Sequence, residues 1–263
     1  MSLDDEVLVT DDAGVRTIAL NRPQSKNGLT EEVNGRIIAA LDGAATERAI
    51  RCVILTGRGG SFCSGLDLKA AAASAGSFDA AEERMRTYFH GMIRAVRRLE
   101  KPVVALVDGP AVGYGCDLAL ACDLRLGTER ARFGEVFVKR GLMPDGGGTF
   151  TLPRLVGVGK ALELMFLGDL VEADDALRLG LLNRIFPSAE AEAQATAFAR
   201  RLAAGPPLVL AQVKRAVYAG LEGTLDDALE NEVRGQMQLL RSRDFFEGVT
   251  AFFQKRDPQF SGE

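Results

Sequence analysis

Apolar and polar positions change rhythm about halfway along this chain. In the first half, short apolar runs end at Gly, Pro or Asp, the pattern of strands. Residues 7–10 and 15–20 flank Asp11-Asp12-Ala13-Gly14 and predict a hairpin; 51–56, 102–107 and 123–127 predict three more strands. Between them, helical spacing predicts helices over 29–45, 80–99 and 116–122. Thr30 is placed to cap the first of these, with Glu31 and Glu32 in its opening turn. In the second half, 160–167, 173–179, 189–204, 208–220, 225–240 and 245–255 all carry helical periodicity, and only 183–186 reads as a strand. The alternation predicts an α/β core followed by a nearly all-helical C-terminal third. Gly205-Pro206-Pro207 sets a soft boundary between units 1–205 and 206–263. The stretch 70–77, built of Ala, Ser and Gly, has no core-forming pattern and predicts a mobile flap.

Composition narrows the chemistry. The chain has 263 residues, 47% of them hydrophobic, enough for one sizeable core. Its net charge of −4 gives no global positive field for nucleic acid or an anionic membrane surface. No apolar run reaches the roughly 18–20 residues that span a bilayer, and the first five residues are polar and acidic, so a cytoplasmic location is expected. Cys52, Cys63, Cys116 and Cys122 form no C-x-x-C pair and read as buried thiols. The only histidine, His90, falls inside the predicted helix 80–99 and reads as a structural or surface residue. A histidine-based metal site or nucleophilic triad has nothing else to draw on. Carboxylates and backbone amides remain, with no metal or cofactor expected.

Two glycine-rich segments each follow a predicted buried strand: 57–67, GRGGSFCSGLD, and 109–117, GPAVGYGCD. Glycines there let the backbone approach a ligand and aim amides at it. Two amides converging from separate turns can hold a developing thioester enolate. Neither segment fits the phosphate-binding pattern G-x-x-x-x-G-K-[ST]. Taken singly, each is equally a tight turn.

Asn21-Arg22-Pro23, SFCSGLDLK (61–69), PVVALVDGPAVGYGCDLALACD (102–123), ARFGEVFVKRGLMPDGGGTFTLPRLVG (131–157), ALRLGLLNRIF (176–186) and EGVTAFFQKRDPQF (247–260) together resemble the crotonase, or enoyl-CoA hydratase/isomerase, superfamily. The resemblance runs nearly end to end, in order. It implies a spiral of ββα turns with a C-terminal helical trimerisation region, a homotrimer or dimer of trimers, and an acyl-CoA thioester as substrate, with CoA part of the substrate rather than a cofactor. Carried over by position, the backbone N–H groups of Ser64 and Tyr114 would form the oxyanion hole. Lys26 and Lys255 would contact CoA.

Hydratases of this superfamily resemble a two-acid design. Here the first acid position holds Asp117, and the second holds Phe137, which can neither activate water nor carry a proton. A third acidic position, eight residues further on, holds Asp145. Phe137, Lys139 and the GLMPDGGG stretch look most like 1,2-epoxyphenylacetyl-CoA isomerases, which implies Asp145 as a mobile acid/base. Each acid also has a plainer reading: Asp145 as a helix cap or turn residue, Asp117 as a first-turn partner of the helix dipole. Glu135 would share the face of Phe137 if that segment is extended, and reads as structural. The expected activity is an isomerase that shifts a double bond or opens a ring epoxide. Alternatives are a trans-2-enoyl-CoA hydratase, a non-catalytic acyl-CoA-binding subunit, and an enzyme with a nucleophilic aspartate.

Overall fold

The structure, a computed structural model, describes residues 3–73 and 78–263. The expected flap over 70–77 falls partly outside them: a helix spans Leu68–Ala73, and 74–77 are not described. Among the described residues, nine strands form two sheets. β1 (Val7–Asp12) and β2 (Val15–Leu20) are the expected antiparallel hairpin, turned by Ala13 and Gly14, both with positive φ. β3 (Cys52–Gly57) and β4 (Val103–Val107) continue the first sheet in parallel. β5 (Pro110–Val112) belongs to the second sheet, β6 (Leu124–Thr128) to the first, and β7 (Arg132–Gly134) and β8 (Val171–Glu172) to the second. β9 (Arg184–Phe186) closes the first sheet, in the order β1-β2-β3-β4-β6-β9, beside the second, β5-β7-β8. Isolated parallel bridges Leu29–Leu66 and Cys63–Ala111 extend the same alternation to the turns after β2 and β3. The chain thus lays one strand in each layer and then a helix, the ββα spiral that the resemblance implies.

Period-two burial explains the layering. In β3, Val53 and Leu55 enter the main core, while Cys52 and Ile54 face the other side. In β4, Val103, Ala105 and Val107 face the main core, and Val104 and Leu106 the other side. That other side is covered by the helix Ala191–Ala203, whose Ala191, Ala195, Ala199 and Ala203 recur at every fourth position. Both faces being covered, the parallel strands read as continuous apolar runs. Three strands the periodicity does not predict, β5, β7 and β8, have two or three residues each, too short to show a period.

The helix expected over 80–99 is three pieces: Phe78–Arg84, a π-helical turn Met85–Phe89, and His90–Arg98. Helices Pro207–Gly220, Leu225–Leu239 and Arg243–Gln254 make the C-terminal region. The first is fastened to the core: Lys214 Nζ donates to Asp123 Oδ2 at 2.8 Å and Tyr218 to Asp123 Oδ1 at 2.7 Å.

Candidate active site

A cleft of about 1330 Å³ opens between the two glycine-rich turns, the segment 22–32, the helix start at 68–71 and the π turn. The turns meet backbone to backbone: Val112 N donates to Cys63 O at 3.0 Å, and a β-carbon on Gly115 would collide with that same carbonyl. Gly113, at φ 56° and ψ −131°, takes a conformation closed to side-chain-bearing residues and starts the helix Tyr114–Ala121. The helix N-terminus therefore faces the cleft, adding its positive end to any anion held there.

The amides differ from the expected pair. Ser64 N donates to Lys26 O at 3.0 Å, so that N–H is already used within the fold. The parallel bridge from Leu29 instead uses Gly65 O and Asp67 N. Among the described residues, Leu66 N and Tyr114 N have no hydrogen-bond acceptor, and Tyr114 N lies 3.1 Å from where a β-carbon of Gly65 would sit. Of these amides, Leu66 N, two residues along the same turn, and Tyr114 N are therefore left without an acceptor, and Ser64 N is not. Sequence gave no signal for this choice, because alternate amides of a turn look alike until their acceptors are known. The Tyr114 side chain turns to the π turn. Its hydroxyl donates to Phe89 O at 2.5 Å and the rings pack edge to face, which ties the π turn to the helix.

Three carboxylates gather near the start of that helix. Asp145 lines the cleft with Phe137 and Val136, and its Oδ1 accepts no hydrogen bond. The following helix, Gly148–Val156, is capped by Gly147, so Asp145 is not its N-cap. Burial raises the Asp145 carboxyl above its usual range, while a charge on His90 would lower it. His90 Nε2 lies 3.0 Å from Asp145 O, so the histidine read as structural or surface stands at the site. A helical position 55 residues away carries no sequence cue for that meeting.

Asp117 does not line the cleft. It is 0% exposed, and its Oδ2 accepts the Gly146 N–H at 2.8 Å, fixing the turn that carries Asp145. Glu135, 2% exposed, is also absent from the cleft wall. β7 ends at Gly134 and a 3₁₀ turn spans Val136–Arg140, so Glu135 does not share the face of Phe137. Of the two expected CoA contacts, Lys26 lines the cleft, at φ 52° in the turn beyond Pro23. Lys255 caps the helix Arg243–Gln254 and lies outside the cleft of its own chain. Of the four acids on the cleft wall, Asp67 is held by Arg22 at 3.1 Å and Glu31 by Arg84 at 3.1 Å, while no ion pair among the described residues holds Glu32 or Asp145. Among the described residues no group of three His, Cys, Asp or Glu has the arrangement of a metal site.

The family model for enoyl-CoA hydratase/isomerase matches residues 10–263. A Rhodobacter capsulatus protein named "Probable enoyl-CoA hydratase" is 39% identical over 249 residues, covering 95% of each chain. The 1,2-epoxyphenylacetyl-CoA isomerase of Escherichia coli is 35% identical, covering 95% of this chain and 96% of its own. Among solved structures, an enoyl-CoA hydratase from Bacillus anthracis superposes with a TM-score of 0.94 at 32% identity, covering 98% of this chain and 100% of that one.

Proposed function

Because the chain belongs to the enoyl-CoA hydratase/isomerase (crotonase) family, we propose that it isomerises a CoA thioester by moving one proton along the acyl chain, with Asp145 as the acid/base. One observation carries this reading. Asp145 sits on the cleft wall beside Phe137 with a free carboxyl oxygen, while Asp117 is shut out of the cleft. In a 3-enoyl thioester, the Asp145 carboxylate takes a proton from C2. The electron pair moves to the thioester oxygen, giving a dienolate held by the Leu66 and Tyr114 amides. The same carboxyl then returns the proton to C4. In 1,2-epoxyphenylacetyl-CoA the epoxide carbon is beta to the thioester, so the C2 protons lie between the two and can be taken by the same carboxylate, in line with the named isomerase among the relatives.

Burial that raises the Asp145 carboxyl brings it towards the range where it can both take and return a proton. Phe137, 8% exposed, puts a dry wall where a second acid would hold water. The chemistry rests on carboxylate and backbone amides, so CoA enters as part of the substrate and no metal or redox cofactor takes part. Lys26 meets the CoA phosphates. The apolar C-terminal helices assemble a trimer or dimer of trimers.

A second reading, trans-2-enoyl-CoA hydration, is favoured by the hydratase names among the relatives. A panel of trans-2-enoyl-, cis-3-enoyl- and 1,2-epoxyphenylacetyl-CoA, followed by absorbance and mass, separates the two. Isomerisation without mass change on either of the last two substrates is the expected result. Gain of one water on the trans-2-enoyl ester, faster than any isomerisation, overturns it.

A further inference from the structure

Glu135 has no part in the scheme above, and its surroundings are unusual for a carboxylate. It lies at the end of β7 and is almost wholly buried, with the Asp117 carboxyl and the Cys116 thiol as its polar neighbours. Both groups crowd the α-carbon of Gly148, where a β-carbon would collide with Asp117 Oδ1 and lie 2.9 Å from Glu135 Oε1. Asp117 Oδ1 and both Glu135 oxygens are buried and meet no N–H donor among the described residues. The titratable groups around the pair are Cys116 and Tyr114 on the helix, Asp145 on the glycine turn, and His90 across from Asp145. Among the described residues no guanidinium or ammonium is hydrogen-bonded to either carboxyl. Ionised carboxylates only accept hydrogen bonds, and two of them facing each other away from water and cations cannot both be charged.

We propose that Glu135 is a positioning residue: it and Asp117 hold one proton between them, and this pair fixes the Gly146 turn that carries Asp145. Asp117 Oδ2 accepts the Gly146 N–H, which leaves Oδ1, the oxygen that crowds Gly148 together with Glu135 Oε1, for the shared proton. Burial supports the assignment, raising Glu135 to about 7 and Asp117 well above its ordinary range. The influence on Asp145 rests on the isomerase reading; the shared proton does not.

Glu135→Gln keeps a hydrogen-bonding side chain and removes the charge, and two measurements on the full-length protein read the result. The first is thermal unfolding against pH. A carboxyl raised in the folded state binds more protons folded than unfolded, so its contribution to stability falls as pH rises from the unfolded value of about 4.5 through the folded value. The Tm of Glu135→Gln relative to the parent should therefore climb between pH 5 and pH 8. A difference that stays flat overturns the shared proton. The second is the split between kcat and KM on the isomerised thioester. A Gly146 turn no longer held by the pair misplaces Asp145, so kcat should fall while KM stays close to the parent's. A kcat equal to the parent's overturns the positioning role. Asp145→Asn tests the isomerase reading separately: if it stays active, that reading and the positioning role both fall, and the unfolding measurement still decides the shared proton.

Discussion

At Asp145 two local facts decide what the residue can do. It stands three positions ahead of the helix Gly148–Val156, which Gly147 caps, so its side chain is free for the cleft. The removal of a well-placed acid/base costs about 10²–10⁴-fold in rate. Asp145→Asn should lose isomerase turnover by that order while binding of a CoA ester, read by calorimetry, stays close to the parent. Asp117→Asn should cost less, because it keeps an acceptor for Gly146 N–H and touches no substrate. A dead Asp117→Asn beside an active Asp145→Asn would reverse the assignment. Phe137 bears on the competing reaction. With no second acid to hold water, hydration of a trans-2-enoyl-CoA should run much slower than isomerisation of a cis-3-enoyl-CoA in matched initial-rate assays.

Elements matter here through how closely they approach. The two glycine turns and the helix Tyr114–Ala121 bring backbone against backbone, and Gly115 leaves no room between them. Gly115→Ala must push the turns apart, so both soluble yield and activity should collapse; a variant of normal Tm and turnover would show that the contact is not needed. The helix Pro207–Gly220 depends on another local device. The Lys214 ammonium is largely buried against Asp123 and the Val96 and Lys101 carbonyls. Removing one partner of a buried pair costs about 3–5 kcal/mol. Lys214→Met should lower stability by that order in chemical denaturation while Asp145 and the cleft are untouched. The π turn Met85–Phe89 is read from the structure alone: the helical pattern runs through it unbroken, and its place on the cleft wall and the Tyr114 hydroxyl on Phe89 O mark its role in the site.

On the scale of the whole molecule, the C-terminal helices leave a large apolar surface. Leu225, Phe252 and Phe253 are each more than 70% exposed, with Val217, Val233 and Phe246 beside them in sequence order on the same three helices. The trimer or dimer of trimers proposed above would cover such a surface. Sedimentation should give three or six times the 28.2 kDa chain, and an active monomer would refute the assembly. Lys255 follows those phenylalanines and lies away from its own cleft, so any contact it makes with CoA must come through such an assembly.

Sequence alone determined the strands and helices long enough to show a period, the Thr30 cap, the two glycine turns and the carboxylates from which the chemistry is drawn. Those features are local: burial on one face repeats every two or 3.6 residues, and turns need particular residue types. Tertiary structure decided the rest. It used up the Ser64 amide and left Leu66 free, brought His90 to Asp145, and kept Asp117 and Glu135 out of the cleft as a pair. It also paired β5, β7 and β8, which have too few residues to carry a period. Each of these depends on which groups from distant segments meet and whether water can reach them, and neither has any counterpart in the spacing of residues along the chain.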